Sequence, residues 1–219
     1  MDQMESQRKE MVLRQLESRG IKDERVLAAM RKVPRHLFVP PDQQAASYND
    51  GPLPIGFGQT ISQPYIVALM CELLALEKNG KTLEIGSGSG YAAAVLAELS
   101  GEVITIERLQ ELSDMARENL SRAGYPDVKV LCADGSLGYP DEAPYDAIVV
   151  AAGAPVAPET LKHQLKTGGR LVIPVGTNSR YQQLLRITRL SEPDFKTETL
   201  GEVAFVPLVG AEAWPEDGY

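Results

Sequence analysis

An α/β protein with a doubly wound, mostly parallel sheet is the fold class this sequence predicts, on three observations. From residue 82 onward, short β-rich runs alternate with helical patterns, the alternation that builds parallel sheets. A cluster of glycines, Gly86, Gly88 and Gly90, falls directly between the first such strand and the helix after it. The last two strand patterns are joined without a helix, which puts an antiparallel strand at or near one edge of the sheet.

Residues 1–20 are predicted to form a helix with Met4, Met11, Leu13 and Leu16 as its apolar residues and Gly20 as its stop. A second helix over about 23–33 starts at Asp23, carries Val26, Leu27 and Met30, and closes before Pro34. The stretch VPRHLFVPPDQQAASYNDGPLPIGFG then reads as a long irregular connection, a kind of segment that often carries function when ordered. Ile66, Leu69, Met70, Leu73 and Leu74 follow at helical spacing, the strongest helix signal in the chain. Strands are predicted at 82–86, 102–107, 128–134, 145–152 and 168–176, and helices at 91–99, 110–124 and 157–165. The closing strand pair is 181–190 and 202–210.

A length of 219 residues suits one substantial domain, and 43% apolar with 24% charged residues is ordinary for a soluble globular chain. The formal net charge of −8, without a basic run longer than two, argues against generic nucleic-acid binding. No apolar run is long enough to span a bilayer, and the charged amphipathic start has no apolar signal-peptide core. Cys71 and Cys132 each lie in an apolar stretch, so two buried free thiols and a cytoplasmic location are expected. His36 and His163 are isolated, and no metal site is expected.

The glycine turn decides the chemistry. It runs Glu84-x-Gly86-x-Gly88-x-Gly90, where glycines let backbone N–H groups approach a ligand and the following helix adds partial positive charge. A dinucleotide fingerprint needs its third small residue at 91, which is Tyr91. A P-loop lacks its first glycine, since position 75 is Ala, and a nucleophile elbow fails because position 88 is Gly. Glu107 ends the next strand, 21 residues after Gly86, where an acid can accept hydrogen bonds from both ribose hydroxyls and repel a 2′-phosphate. Asp134-Gly135 ends the third strand, where the acid can accept from an adenine amino group. Glycine turn, ribose acid and adenine acid in that order are similar to the Rossmann-like S-adenosylmethionine-dependent methyltransferase fold. The cofactor site is then expected to include Glu84, Gly86, Ser87, Gly88 and Gly90, followed by Glu107, Arg108, Asp134 and Gly135.

Two signatures of base methyltransferases are missing. After the fourth strand VVAAGAPVAP has no N/D-P-P-Y/F motif, and neither cysteine sits in a Pro-Cys setting. VPRHLFVP (33–40), YNDGPLPIGFGQTISQPYIVALMCELL (48–74), LEIGSGSGY (83–91) and FVPLVG (205–210) together resemble protein-L-isoaspartate O-methyltransferases across almost the whole chain. The resemblance implies a seven-stranded, mostly parallel sheet, a monomeric enzyme, and S-adenosylmethionine as cofactor with S-adenosylhomocysteine as product. It implies methyl transfer to the free carboxylate of L-isoaspartyl or D-aspartyl residues in aged proteins, whose esters collapse to a succinimide that reopens partly to normal aspartate. Residues 1–219 are expected to form a single methyltransferase domain with an N-terminal helical extension: 1–61 as N-terminal helices and substrate loop, 62–180 as cofactor-binding core, and 181–219 as C-terminal strand pair and tail.

QTISQP brings polar residues to the start of the third helix, and Ser62 is expected to be its N-cap with Gln63 as the first helical residue. A carboxylate acceptor has an ordinary pKa near 4 and is already ionised at neutral pH, so orientation and not a general base is what it needs. The resemblance carries the catalytic serine onto Ser62 and puts Thr60 between acceptor and cofactor, with Gln59, Thr60, Ile61 and Ser62 also along the methionine end of the cofactor. It assigns acceptor binding to Pro54, Ile55, Gly56, Thr60, Phe205 and Val206, with the damaged polypeptide entering extended beside Ser62. Ala204 departs from the family, which usually has Arg before this Phe, and leaves the tail's acceptor contacts in question. Tyr65 and Tyr91 either cover the cofactor or belong to the core. Two alternatives stay open: a methyltransferase of another acceptor, such as a small acid or tRNA, or a nonenzymatic cofactor-binding protein.

Overall fold

A computed structural model describes residues 3–178 and 181–216. Residues 1–2 of the expected first helix, 179–180 at the end of the core segment and 217–219 of the tail lie outside the described residues. The N-terminal part holds α1 (Gln3–Met11) and α2 (Glu24–Lys32), then a hairpin of β1 (Leu53–Gly56) and β2 (Gln59–Ile61), then α3 (Pro64–Leu74). The core follows as β3 (Lys81–Ile85), α4 (Tyr91–Leu99), β4 (Glu102–Glu107), α5 (Gln110–Arg122), β5 (Lys129–Cys132) and β6 (Tyr145–Val150). It closes with α6 (Glu159–His163), β7 (Leu165–Val175), β8 (Gln182–Arg189) and β9 (Phe195–Val203).

Seven strands form one sheet in the order β5-β4-β3-β6-β7-β8-β9. The five strands from β5 to β7 pair in parallel, while β8 runs antiparallel to both β7 and β9. The single reversed strand is therefore second from the edge, as the helix-free link predicts. Side chains alternate between the two faces along each strand. Leu83, Ile85, Ile104, Ile106, Ile148 and Val150 enter one apolar cluster with Leu161 of α6. Val103, Ala147, Val149 and Val172 enter the other, with buried residues of α2, α3, α4 and α5. Winding goes outward from β3 through β4 to β5, then restarts at β6 in the opposite direction. The carboxyl ends of β3 and β6 thus flank the switch point at which open α/β sheets bind ligands.

Five expectations need correction. Regular α1 ends at Met11, and residues 12–19 continue as a widened turn and then a tight one before Gly20 at φ +95°. The widening turns Met11, Val12 and Leu16 inward together and leaves Leu13 55% exposed, off the buried face. The connection after α2 is not wholly irregular, because Leu53↔Ile61 and Pro54↔Thr60 pair as an antiparallel hairpin. α3 begins at Pro64 with Gln63 as its cap residue and no side-chain cap hydrogen bond, so Ser62 is not the N-cap. Proline at the first helical position needs no N–H partner and presets φ, which moves the start one residue later than expected. The last strand is 195–203 and not 202–210. FKTETLGEV lacks strict apolar alternation because it forms the outer edge, whereas the apolar 204–210 packs over the carboxyl end of the sheet with isolated bridges such as Gly153↔Pro207. Cys132 is exposed and Cys71 buried, since β5 is the opposite edge strand.

Candidate active site

The carboxyl ends of β3, β4 and β6 open into a cleft of about 330 Å³. Gly86, Gly88 and Gly90 adopt φ of +90°, +51° and +88°, which L side chains rarely adopt. Their tasks differ. A Cβ on Gly88 would stand 3.3 Å from Ile55 Cδ1, and one on Gly90 would stand 3.1 Å from Leu120 Cγ and 3.2 Å from the Ala116 carbonyl. Gly90 therefore lets α4 pack against α5, while Gly86 and Gly88 line the cleft. Glu107 holds the turn in place: Oε2 accepts from Gly88 N at 2.9 Å, and Oε1 accepts from Arg108 N at 2.8 Å and Leu109 N at 3.1 Å.

Beneath the glycine turn lies a buried polar chain. Thr105 Oγ1 donates to Glu84 Oε2 at 2.5 Å and shares a 2.6 Å hydrogen bond with Ser87 Oγ. Glu84 is fully buried, and its Oε1 has no hydrogen-bond partner among the described residues. Burial raises its pKa to about 8, opposed by the Thr105 hydrogen bond and assisted by the negative Glu107. An orphaned carboxyl oxygen on the wall of a cleft is a ready acceptor for a cationic ligand group. Tyr91 forms another part of the wall and is itself 1% exposed, its ring facing the Arg35 guanidinium 4.8 Å from the centroid.

The other side of the cleft is made of two segments outside the strand ends. Gln59, Thr60, Ile61 and Ser62 line it from the hairpin, and Val206 to Val209 line it from the C-terminal tail. Because α3 takes no side-chain cap, the Ser62 hydroxyl is not engaged by the helix. The tail is clamped along its length. Gln182, buried in β8, accepts from Phe205 N at 2.8 Å and donates to Phe205 O at 3.0 Å. Gly153 N donates to Val206 O at 2.8 Å, and Leu208 N donates to Gly153 O at 2.8 Å. Farther on, Ala211 N donates to Asp134 Oδ2 at 2.8 Å and Glu212 N to Ser136 Oγ at 3.1 Å. Pro207 has no N–H, so among the described residues Val206 N–H is the one backbone donor of 205–208 left without a partner.

A family model described as protein-L-isoaspartate(D-aspartate) O-methyltransferase matches residues 6–213. The chain belongs to that family. It is 58% identical over 206 residues to a protein-L-isoaspartate O-methyltransferase of Rhodopseudomonas palustris, covering 94% of each chain. It is 59% identical over 208 residues to protein-L-isoaspartate O-methyltransferase 2 of Marinobacter nauticus, covering 95% of each. Among solved structures, a Plasmodium falciparum protein-L-isoaspartate O-methyltransferase in complex with S-adenosyl-L-homocysteine is similar at a TM-score of 0.81. The two chains are 28% identical, with 92% of this chain and 98% of that one covered.

Most residues that the sequence nominates for this isoaspartate O-methyltransferase site meet in the one cleft, but not all. Glu84, Gly86, Ser87, Gly88, Glu107, Arg108 and Gly135 line it together with Gln59–Ser62 and Val206. Gly90 and Asp134 stand behind the lining: Asp134 Oδ1 accepts from Ser136 N at 2.9 Å and Ser136 Oγ at 2.7 Å, so the acid caps its own turn and ties down the tail. Pro54, Ile55, Gly56 and Phe205 also lie outside the lining, and Ile55 is buried beneath Gly88. Ala204 is exposed between β9 and the tail. Of the two tyrosines weighed, Tyr91 is wall, whereas Tyr65 stacks under Arg19, whose guanidinium carbon is 3.8 Å from the ring centroid. Sequence reasoning missed Phe57, Thr105, Ala151, Ala152 and Pro207 to Val209. A polar Thr105 at the centre of the apolar run VITI was the one local signal for the buried chain.

Proposed function

We infer that this chain transfers the methyl group of S-adenosylmethionine to the free carboxylate of isoaspartyl residues in damaged proteins and peptides. D-Aspartyl residues are the second acceptor in the family's description. The reaction initiates repair, because the ester collapses to a succinimide that reopens partly to normal aspartate. The observation that carries this reading is a single cleft holding the glycine turn, the ribose acid and an unengaged Ser62 hydroxyl.

The residues present fit the cofactor. The cleft volume lies at the lower end of the range for small-molecule sites. Gly86 and Gly88 permit close approach, and the orphaned Glu84 Oε1 suits an ammonium group, whose positive charge would draw the raised pKa back down and favour the carboxylate. Glu107 already accepts three backbone N–H bonds, which leaves about one of a carboxylate's roughly four acceptor positions for the ribose. Arg108 and Gly135 complete the adenosine end, with Asp134 holding the tail beside it. When bound, the cofactor supplies an electrophilic methyl group. The chain's part is orientation. Ser62 donates a hydrogen bond to the acceptor carboxylate, Thr60 stands between the two ligands, and the free Val206 N–H grips the acceptor. Fixing reactants this way supplies up to about 7–11 kcal/mol. We read the enzyme as a cytoplasmic monomer that does not act on nucleic acid; the two free cysteines and the net charge of −8 support that reading. Among the described residues no helix is long and apolar enough to cross a membrane.

The test is a pair of peptides identical except that one carries isoaspartate where the other carries aspartate, incubated with methyl-labelled S-adenosylmethionine. Base-labile label on the isoaspartyl peptide alone is expected. No label on either peptide, with cofactor binding intact by calorimetry, would sink the acceptor assignment.

A further inference from the structure

The tip of the β1–β2 hairpin carries three successive residues in the left-handed region: Gly56 at φ +94°, Phe57 at +53° and Gly58 at +69°. Glycine adopts this conformation freely, whereas a bulky residue there is strained. Local packing does not offset the strain. Phe57 is 54% exposed and belongs to neither apolar cluster, and its carbonyl accepts only a long 3.4 Å bond from Gln59 Nε2. A Cβ on Gly56 or Gly58 would meet nothing within 4 Å, so the tip stands clear of the body of the protein. The hairpin itself is firmly seated, because Ile55 and Ile61 on either side of the tip are buried in the core. The result is an aromatic ring held out from a fixed base at the rim of the cleft that it lines. Strained residues of this kind gather at ligand clamps.

The chemistry of the two ligands separates them as partners for this ring. The ends of S-adenosylmethionine that need recognition are polar or charged, and Glu84 and Glu107 match them. The acceptor residue is itself a carboxylate, suited to Ser62 and Val206. The adenine face is assigned to the part of the cleft at Glu107 and Gly135. The apolar surface left for this ring is then the side chain next to the acceptor residue, and Phe57 adjoins the Gln59–Ser62 segment where the acceptor is oriented. We propose that Phe57 is a specificity-determining residue that packs against the side chain flanking the damaged residue and favours apolar over small flanks. This rests on the isoaspartyl reading.

Steady-state kinetics on isoaspartyl peptides that carry Leu or Gly at the flanking positions test it. Wild-type enzyme should prefer the Leu-flanked peptide in kcat/KM by about tenfold, a normal discrimination for an apolar contact. Phe57→Ala should bring that ratio to within about twofold of one through KM, and Phe57→Leu should keep most of it. The Kd for S-adenosylmethionine should stay unchanged by calorimetry. Phe57→Gly should lose the same selectivity while its Tm is equal to or above wild type, because glycine relieves the backbone strain. A merely structural role predicts the reverse, with lower Tm and weaker cofactor binding. A wild-type ratio near one, or Phe57→Ala losing the same factor on every peptide, would overturn the proposal. If wild-type enzyme binds cofactor yet labels no isoaspartyl peptide, the acceptor reading fails first and Phe57 loses its role with it.

Discussion

The two halves of the cleft are built differently. The proposed cofactor half is the ends of β3 and β4, neighbours in the middle of a parallel ladder, with glycine φ values and Glu107 hydrogen bonds fixing the turn. The proposed acceptor half is a two-stranded hairpin and a C-terminal tail, both outside the seven-stranded sheet and held by polar clamps. A cofactor is one molecule with constant groups, and it can be met by a rigid site. Damaged polypeptides vary in sequence, and on the proposed reading they are met by main-chain donors and an exposed ring.

Four perturbations test that division, starting with the largest. Ser62→Ala should lower kcat about 100-fold, the usual scale for removing one preorganised donor, while the cofactor Kd and far-UV spectrum stay as in wild type. Wild-type turnover in this variant would return Ser62 to the role of a linker residue. Gly210→Ala strikes the acceptor half from behind. Its Cβ would stand 2.1 Å from Asp134 Oδ1 and 2.5 Å from Ser136 Oγ, and Asp134 is locked by three donors. The tail should be displaced, with kcat/KM on peptide falling on the order of tenfold and cofactor affinity affected less. An equal loss in both would mean that the tail belongs to the cofactor half as well.

Glu107→Ala should raise the cofactor Kd about tenfold, since a charge-assisted hydrogen bond contributes about 1.5–3 kcal/mol. Unchanged affinity in calorimetry would remove Glu107 from ribose binding and leave it as the clamp of the turn. The smallest effect is a pH profile. Burial raises the Glu84 pKa from 4.5 in the unfolded chain to about 8 in the fold. Between these values the unfolded state has lost the proton and the folded state keeps it, so this group's contribution to stability falls as pH rises. Glu84→Gln should therefore gain Tm relative to wild type from pH 5 to 8, and no further above that. A Tm difference that is flat with pH would mean that Glu84 is ionised in the fold.

Much of the cofactor half was legible in the sequence because its signals are local. β4 and α4 fall at their predicted residues, and Gly86, Gly88 and Glu107 lie where a strand-turn-helix register puts them. The acceptor half was legible only through motif resemblance. QTIS and FVPLVG have no periodicity that says they meet, and the hairpin was hidden in a stretch of prolines and glycines. The misplaced last strand has the same origin. Apolar residues at 204–210 look like a buried strand, but they are apolar because they cap the sheet's end.

The sequence by itself determined the alternation of strands and helices, the glycine turn between β3 and α4, and the acid that ends β4. These follow from side-chain period and from φ values that only a few residue types tolerate. The tertiary structure decided the rest: that Ser62 is left unengaged at the head of α3, that Thr105 meets Glu84 across two strands, and that the tail reaches Ser136 from Glu212, 76 residues away. The last two depend on partners distant in the chain, which no local pattern encodes, and the first on where the helix started once Pro64 took its first position.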